Sequence, residues 1–335
     1  MRATKGTVAR LAVLTTLAVA CNPDNRPVGP AAAVTAHDVV DDPPAYEPWS
    51  EPLNLGPVIN TSFIDADPAI SKHRLSLYIS TDRPGGLGDL DLWVSQRASA
   101  DDAWGPPQPL GPNVNSDAAE LAPAFSPDGH WMYFGSFRTG GCGGADIYVS
   151  HRHDAKDDFG WEPAVNLGCV VNTASDELFP TYFEDEALGT TTLYYASNRP
   201  GGLGDLDIYA STRSGDDGAF GPGALVAELS SSGRDSRTAI RRDGLEIFLA
   251  SDRPGGLGDR DLYVATRVST LDAWSTPANL GPVVNSAARD GAPALSFDGT
   301  TLYFFSRRLG GFGASDLYMT TRAVTASGDA IVTEW

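Results

Sequence analysis

Apolar positions in this chain come in short runs of aromatic and β-branched residues, divided by polar turns rich in glycine; long stretches with helical three-to-four spacing are missing. Such runs predict strands. Within one unit four of them follow in order. The first begins at a proline, as in Pro123 to Ser126, and is closed by an Asp-Gly turn such as Asp128-Gly129, Asp243-Gly244 or Asp298-Gly299. The second is aromatic or apolar, as in Trp131 to Gly135 and Leu302 to Phe305. A Gly-rich turn leads to the third, Asp-[Leu/Ile]-[Tyr/Trp], as in Asp146 to Arg152, and the fourth is W-x-x-P-x-x-L, as in Trp161 to Leu167.

This unit occurs five times. Its most similar parts are Ser80 to Arg97, Ser136 to Arg152, Ser197 to Arg213, Ser251 to Arg267 and Ser306 to Arg322. An aromatic opens each copy (Trp49, Trp104, Trp161, Phe220, Trp274), and nineteen residues later stands Pro68, Pro123, Pro180, Ala239 or Pro293. The longest copy carries an insertion around Glu184 to Thr192. A fixed period of four strand-like runs predicts an all-β, five-bladed β-propeller of four-stranded antiparallel blades. One fourth-strand segment, Trp49 to Leu55, precedes the first three-strand set, so it is expected to complete the last blade beside Asp316 to Arg322 and remove the open edge. Ala330 to Trp335 is a rival closing strand.

The repeat reads W-x-x-P-x-N-L-G-x-x-[VI]-N, then P-A-x-S-x-D-G, then L-Y-F-x-S-x-R-x-G-G-x-G-x-x-D-[IL]-Y, over Trp49 to Arg322. It resembles the WD40-like propeller repeats of the Tol-system periplasmic propeller and of OmpA-associated envelope proteins. The fourth copy departs from it, with Phe220 for Trp and no N-L-G string at Ala224 to Ser232. The resemblance implies a fold and says little of function, because propellers host unrelated activities.

Composition then places the chain. Arg2, Lys5 and Arg10 precede the apolar run Leu11 to Ala20 and Cys21, which predicts an export leader too short to span a bilayer. It resembles a bacterial lipoprotein signal in which Cys21 takes the lipid. Residues 22–48 are Pro- and Ala-rich and read as a tether, 49–322 as the propeller and 323–335 as a tail. The expected location is an exported cell envelope, in the outer membrane or periplasm. The formal net charge of −19 argues against nucleic acid and against an anionic bilayer as partners, beyond a lipid anchor. The chain is expected to be a monomer.

Chemistry is harder to place. Arg and Asp recur eight residues apart across the Gly-rich turn as Arg83/Asp91, Arg138/Asp146, Arg199/Asp207, Arg253/Asp261 and Arg308/Asp316. A catalytic group is needed once, so five copies predict structural pairs that stiffen the turn. Three residues before each proline position stand Asp65, Glu120, Glu177 and Asp290, with Asp235 beside Ser236 in the fourth copy. The first strand of a blade lines the channel, so these acids are expected near one mouth. They could bind a ligand or Ca²⁺ there, or serve local hydrogen bonding. No cofactor is otherwise expected. Cys142 and Cys169 replace Leu and Pro of the other copies in one blade, and predict a disulfide in an exported protein. His37, His73, His130, His151 and His153 follow no repeat register; His151-x-His153 reads as a surface pair.

Two functions fit. The first is a non-enzymatic propeller presenting a face to a protein partner or an envelope polymer or glycan. The alternative is a carbohydrate-active enzyme, or a lectin-like binder, using the channel mouth with Asp65, Glu120, Glu177 and Asp290 as its acids.

Overall fold

The computed structural model describes residues 45–215 and 218–325. The leader, Cys21, most of the tether and the rival strand Ala330 to Trp335 lie outside the described residues. The strand order is that of a five-bladed propeller. After β1 (Leu53–Asn54) come four complete three-strand sets with a short fourth strand each: β2–β5 (Asp65–Ile70, Ser76–Thr81, Asp91–Gln96, Gln108–Pro109), β6–β9 (Glu120–Phe125, Trp131–Ser136, Asp146–His151, Val165–Asn166), β10–β13 (Glu177–Asp185, Thr190–Ser197, Asp207–Ser214, Ala224–Leu225) and β14–β17 (Asp235–Ile240, Glu246–Ser251, Asp261–Thr266, Ala278–Asn279). The last set is β18–β20 (Asp290–Leu295, Thr301–Ser306, Asp316–Thr321). These sets are blades I to V. Blade V is completed by β1, which pairs Leu53 with Met319 and Asn54 with Tyr318. The chain therefore closes the ring with its own N-terminal strand, leaving no long edge for another chain to extend.

The fourth strands are shorter than the W-x-x-P-x-x-L pattern predicts, because the paired part is two residues only. A proline inside the segment has no N–H to give the ladder. The opening aromatics do other work. Trp161 is 2 % exposed and packs between blades I and II, against Tyr78 and Phe125. The closing arginine of each copy stacks on the aromatic that opens the next copy, within its own blade: Arg97 on Trp104 at 4.1 Å, Arg152 on Trp161 at 4.4 Å, Arg213 on Phe220 at 5.0 Å, Arg267 on Trp274 at 4.2 Å and, across the ring closure, Arg322 on Trp49 at 4.4 Å. Burying one such ring contributes about 1.5–3 kcal/mol, and the cation over it adds about 0.5–2. The sequence period is thus an energetic period.

The second asparagine of the N-L-G-x-x-V-N string is equally structural. Asn60, Asn115, Asn172 and Asn285 each offer a side-chain amide that bonds both backbone groups of one third-strand residue, Leu317, Leu92, Ile147 and Leu262 respectively. Ser230 does this with one hydroxyl in blade III, at 3.0 Å from Ile208 N. Between blades the buried carboxylate of Asp158 ties blade I to blade II, accepting from Ser76, Tyr78 and Gln96 of the first and Arg152 of the second at 2.6–2.9 Å. In blade III the insertion lengthens a hairpin rather than a turn, pairing Glu184 with Thr191 and Asp185 with Thr190.

Candidate functional site

The five first-strand acids do not gather at a mouth. Each is fully buried, and each is spent inside its own blade. Asp65 accepts from Thr61 and from Arg83 at 2.5 Å; Glu120 accepts from Ser116, Ser136 and Arg138; Glu177 from Thr173, Ser197 and Arg199. Asp235 accepts from Ser231, Ser251 and Arg253, and Asp290 from Ser286 and Arg308. A buried carboxylate that already accepts three or four hydrogen bonds has little left for Ca²⁺, which needs six to eight oxygens. The fourth copy also aligns differently from its spacing. Asp235 opposes Ser251 as Asp65 opposes Thr81, so Thr238 occupies the proline place and Ala239 the next.

The expected Arg/Asp pairs across the Gly-rich turn are not formed. Arg83, Arg138, Arg199, Arg253 and Arg308 turn back to the first-strand acids, and also donate Nη2 to the carbonyls of Ile59, Val114, Val171, Leu229 and Val284. Their former partners hold the turn by its backbone. Asp91, Asp146, Asp207, Asp261 and Asp316 accept the amides of Leu87, Cys142, Leu203, Leu257 and Phe312. This is cheaper than burying a second ion pair, because amides pointing inward need an acceptor in any case. The glycine before each of these residues approaches that carboxylate so closely that a Cβ would overlap it, at 1.8 Å for Gly86. In blade II the same turn is fastened by a disulfide between Cys142 and Cys169, with Cα atoms 5.5 Å apart.

The channel is lined two residues after each acid, where a β-bulge interrupts the ladder of the first strand. The bulge residues are Asp67, Ala122, Phe179, Arg237 and Ala292. Four of them have left-handed backbones, with φ of 48°, 57°, 57° and 50° for Asp67, Ala122, Phe179 and Ala292, a conformation that costs a non-glycine residue about 1–3 kcal/mol. Arg237 lacks it: Thr238 replaces the proline and pairs with Leu249, so the ladder resumes at once.

Here the five-fold repetition breaks. Asp67 and Arg237 are the only charged bulge residues, and Arg237 crosses the channel from blade IV to donate Nη2 to Pro68 O at 2.7 Å and Pro123 O at 2.9 Å in blades I and II. Its Nε and Nη1 have no protein acceptor. Burial drives its pKa down to about 10, with Asp67 opposing, so it stays a cation at neutral pH. Burial raises the Asp67 carboxyl above its ordinary range, while Arg237, Ser80, Arg289 and Arg260 act against that rise. Arg260 and Arg289 lie side by side on neighbouring segments, each with an Nε lacking a protein acceptor. Arg237 also forms part of the wall of a cavity of about 160 Å³ that opens beside the turns between first and second strands. Phe125, Phe183, Phe297, Ser126, Thr181 and Thr238 line it, with Glu184, Glu186, Lys72, Arg241 and Arg242. Sequence reasoning missed Asp67 and Arg237 because it followed the acids that repeat. The available signal was the opposite one, a charge at a position that is Ala or Phe in the other copies.

A second cluster lies elsewhere. His151 Nδ1 is 3.5 Å and His153 Nε2 3.0 Å from Glu162 Oε1, with the three ligand atoms within 4.8 Å of one another. These residues could hold a metal ion, although His153 is almost fully exposed.

No protein-family model matches this chain, and no curated protein matches it in sequence. Solved structures do. The catalytic domain of the glycoside hydrolase family 62 α-L-arabinofuranosidase of Coprinopsis cinerea is 15% identical, with 83% of this chain and 98% of that one covered at a TM-score of 0.53. The α-L-arabinofuranosidase of Lactobacillus brevis is 16% identical over 80% of this chain and 92% of that one, with a TM-score of 0.56. The endo-arabinase of Bacteroides thetaiotaomicron is 17% identical over 80% and 98%, with a TM-score of 0.54. At this identity the likeness establishes the five-bladed fold. It also corrects the expected kinship with WD40-like envelope repeats, since the similar propellers are glycoside hydrolases. The expectation of a non-enzymatic scaffold for a protein partner rested on the repeated structural motifs, the tether and the lack of a catalytic constellation in the sequence. The similar propellers, all glycoside hydrolases, overturn that expectation.

Proposed function

We propose that this propeller is a carbohydrate-active enzyme that takes a saccharide end into the channel and cleaves a glycosidic bond there. The observation that carries the reading is the one-copy pair Asp67 and Arg237 in the channel, of which Arg237 also lines the cavity. The fold shared with the arabinofuranosidases and the endo-arabinase supports it.

Glycoside hydrolysis needs a carboxyl that gives a proton to the leaving oxygen and a carboxylate that activates water or attacks the sugar. The two are told apart by environment, the donor being the one whose pKa is held up. Asp67 has that property, and at 7 % exposure it is less enclosed than the five acids at zero. The second carboxylate is drawn from the cavity wall, where Glu184 and Glu186 stand. Phe125, Phe183 and Phe297 provide the apolar surfaces on which sugar faces stack. Binding without cleavage is a second reading, favoured by the single carboxylate among the five bulge residues. The leader and Cys21 support an exported, lipid-anchored enzyme.

The test is hydrolysis of arabinan, arabinoxylan and nitrophenyl arabinofuranoside, with binding measured in parallel. Asp67→Asn is expected to lower kcat about 10²–10⁴-fold with the fold unchanged by circular dichroism. Binding with no cleavage by the parent protein would establish the second reading, and a chain that neither binds nor cleaves any glycan overturns both.

A further inference from the structure

We propose that the saccharide held in this channel is anionic, with a sugar carboxylate or sulfate ester seated against Arg237. The inference rests on the carbohydrate reading and adds the class of glycan to it.

Three observations support it. First, Arg237 is 3 % exposed, yet its Nε and both Nη1 protons have no protein acceptor while it lines the cavity. A buried guanidinium left with unmade hydrogen bonds is unfavourable unless something accepts them. The structural arginines of the same fold show that this chain can satisfy the group when rigidity is the purpose: Arg253 reaches Ser251, Leu229 and Asp235.

Second, the channel charge opposes that of the whole protein. Around Asp67 stand Arg237, Arg260 and Arg289, with Arg234 and Arg307 beside the last two; Asp252 faces both of those, and Asp235, already paired with Arg253, faces Arg260. Arg260 is 7 % exposed and donates from Nη1 to the Ser236 hydroxyl at 3.4 Å. In a chain of net charge −19 such a local excess is not a by-product of composition. It creates a positive potential in a low-dielectric recess, where an entering anion is attracted most strongly.

Third, the rim carries the same sign. Lys72 and Arg242 both lie over the Phe297 ring, at 4.7 Å each, and border the cavity. Arg242 is partly balanced by Glu186 at 3.1 Å, and Glu184 also lines the wall. The rim therefore draws in an anionic chain, and the floor keeps its charged group.

Equilibrium binding of the mature chain would be measured with galacturonate oligosaccharides, with a sulfated oligosaccharide and with neutral oligosaccharides of equal length. At least one acidic ligand is expected to bind ten-fold or more tightly than its neutral counterpart, and the two acidic arms tell carboxylate from sulfate. Arg237→Gln should erase that difference. Because Arg237 bridges three blades, its melting temperature is checked, and the surface variant Lys72→Gln with Arg242→Gln provides a second route, expected to weaken acidic ligands several-fold and neutral ones little. Equal affinity for acidic and neutral glycans would overturn the inference and leave the carbohydrate reading standing. Binding of free sulfate at Arg237 with no glycan bound in any arm would overturn the carbohydrate reading and, with it, this inference about the glycan.

Discussion

Arg253 and Arg237 belong to the same blade and were built for different ends. Arg253 lies in the repeated frame, with Nε on Ser251 at 2.9 Å and Nη2 on both Leu229 O and Asp235. Arg237 lies in the channel and reaches two carbonyls of other blades with one nitrogen, leaving Nε and Nη1 unmatched. The frame arginine occurs five times and the channel arginine once. The repeated arginine spends its Nε and Nη2 on protein acceptors, because its task is to fix geometry. The channel arginine keeps Nε and Nη1 for something else.

The comparison can be tested from its strongest consequence downward. Removing the carboxylate in Asp235→Ala strands the Arg253 guanidinium in the interior, and a loss of about 3–5 kcal/mol is expected in denaturant unfolding. A loss under about 1 kcal/mol would show that the repeated pairs do not hold the frame. Next in size is the disulfide, which encloses a loop of 27 residues in sequence. Replacing Cys142 and Cys169 by serine is expected to cost about 3.5 kcal/mol through unfolded-chain entropy. Intact-mass analysis after alkylation would detect two free thiols if the bond is not made.

Arg237 should behave in the contrary sense. Since several of its hydrogen bonds are unmade, Arg237→Met is expected to change stability by no more than about 1–2 kcal/mol in either direction, while ligand binding is lost. A destabilisation as large as that of Asp235→Ala would place Arg237 with the frame. The smallest effect concerns pH. The folded pKa of Asp67 is raised, chiefly by burial, so the native state holds this proton more tightly than the unfolded chain. Its contribution to stability is then fullest below about pH 4, the unfolded value, and is lost as pH rises through the folded pKa. Asp67→Asn removes that loss. Unfolding free energies of the two proteins should therefore diverge in favour of Asp67→Asn between pH 4 and pH 7; parallel profiles would mean that Asp67 titrates as an ordinary surface acid.

Much of the frame was legible because local chemistry specifies it. The opening aromatics, the Gly-Gly turns and the asparagine string stand at fixed spacing, and five copies of one strand pattern can only pack as a ring of blades. Ring closure followed from counting, since one fourth-strand segment stands before the first set. The pairing of Cys142 with Cys169 followed in the same way, from two substitutions at neighbouring blade positions. What the sequence left undecided was the partner of each charge. Arg83 is eight residues from Asp91 and eighteen from Asp65, yet it bonds Asp65, because the hairpin brings the first strand under the turn and the turn amides claim Asp91. The channel residues were hidden for a related reason. A β-bulge shifts which side chain of the first strand faces inward, so Asp65 is locked within its blade while Asp67 faces Arg237. Local residue preference determines the blade; only closing five blades on one axis determines which charges meet there, because those contacts join residues more than a hundred positions apart.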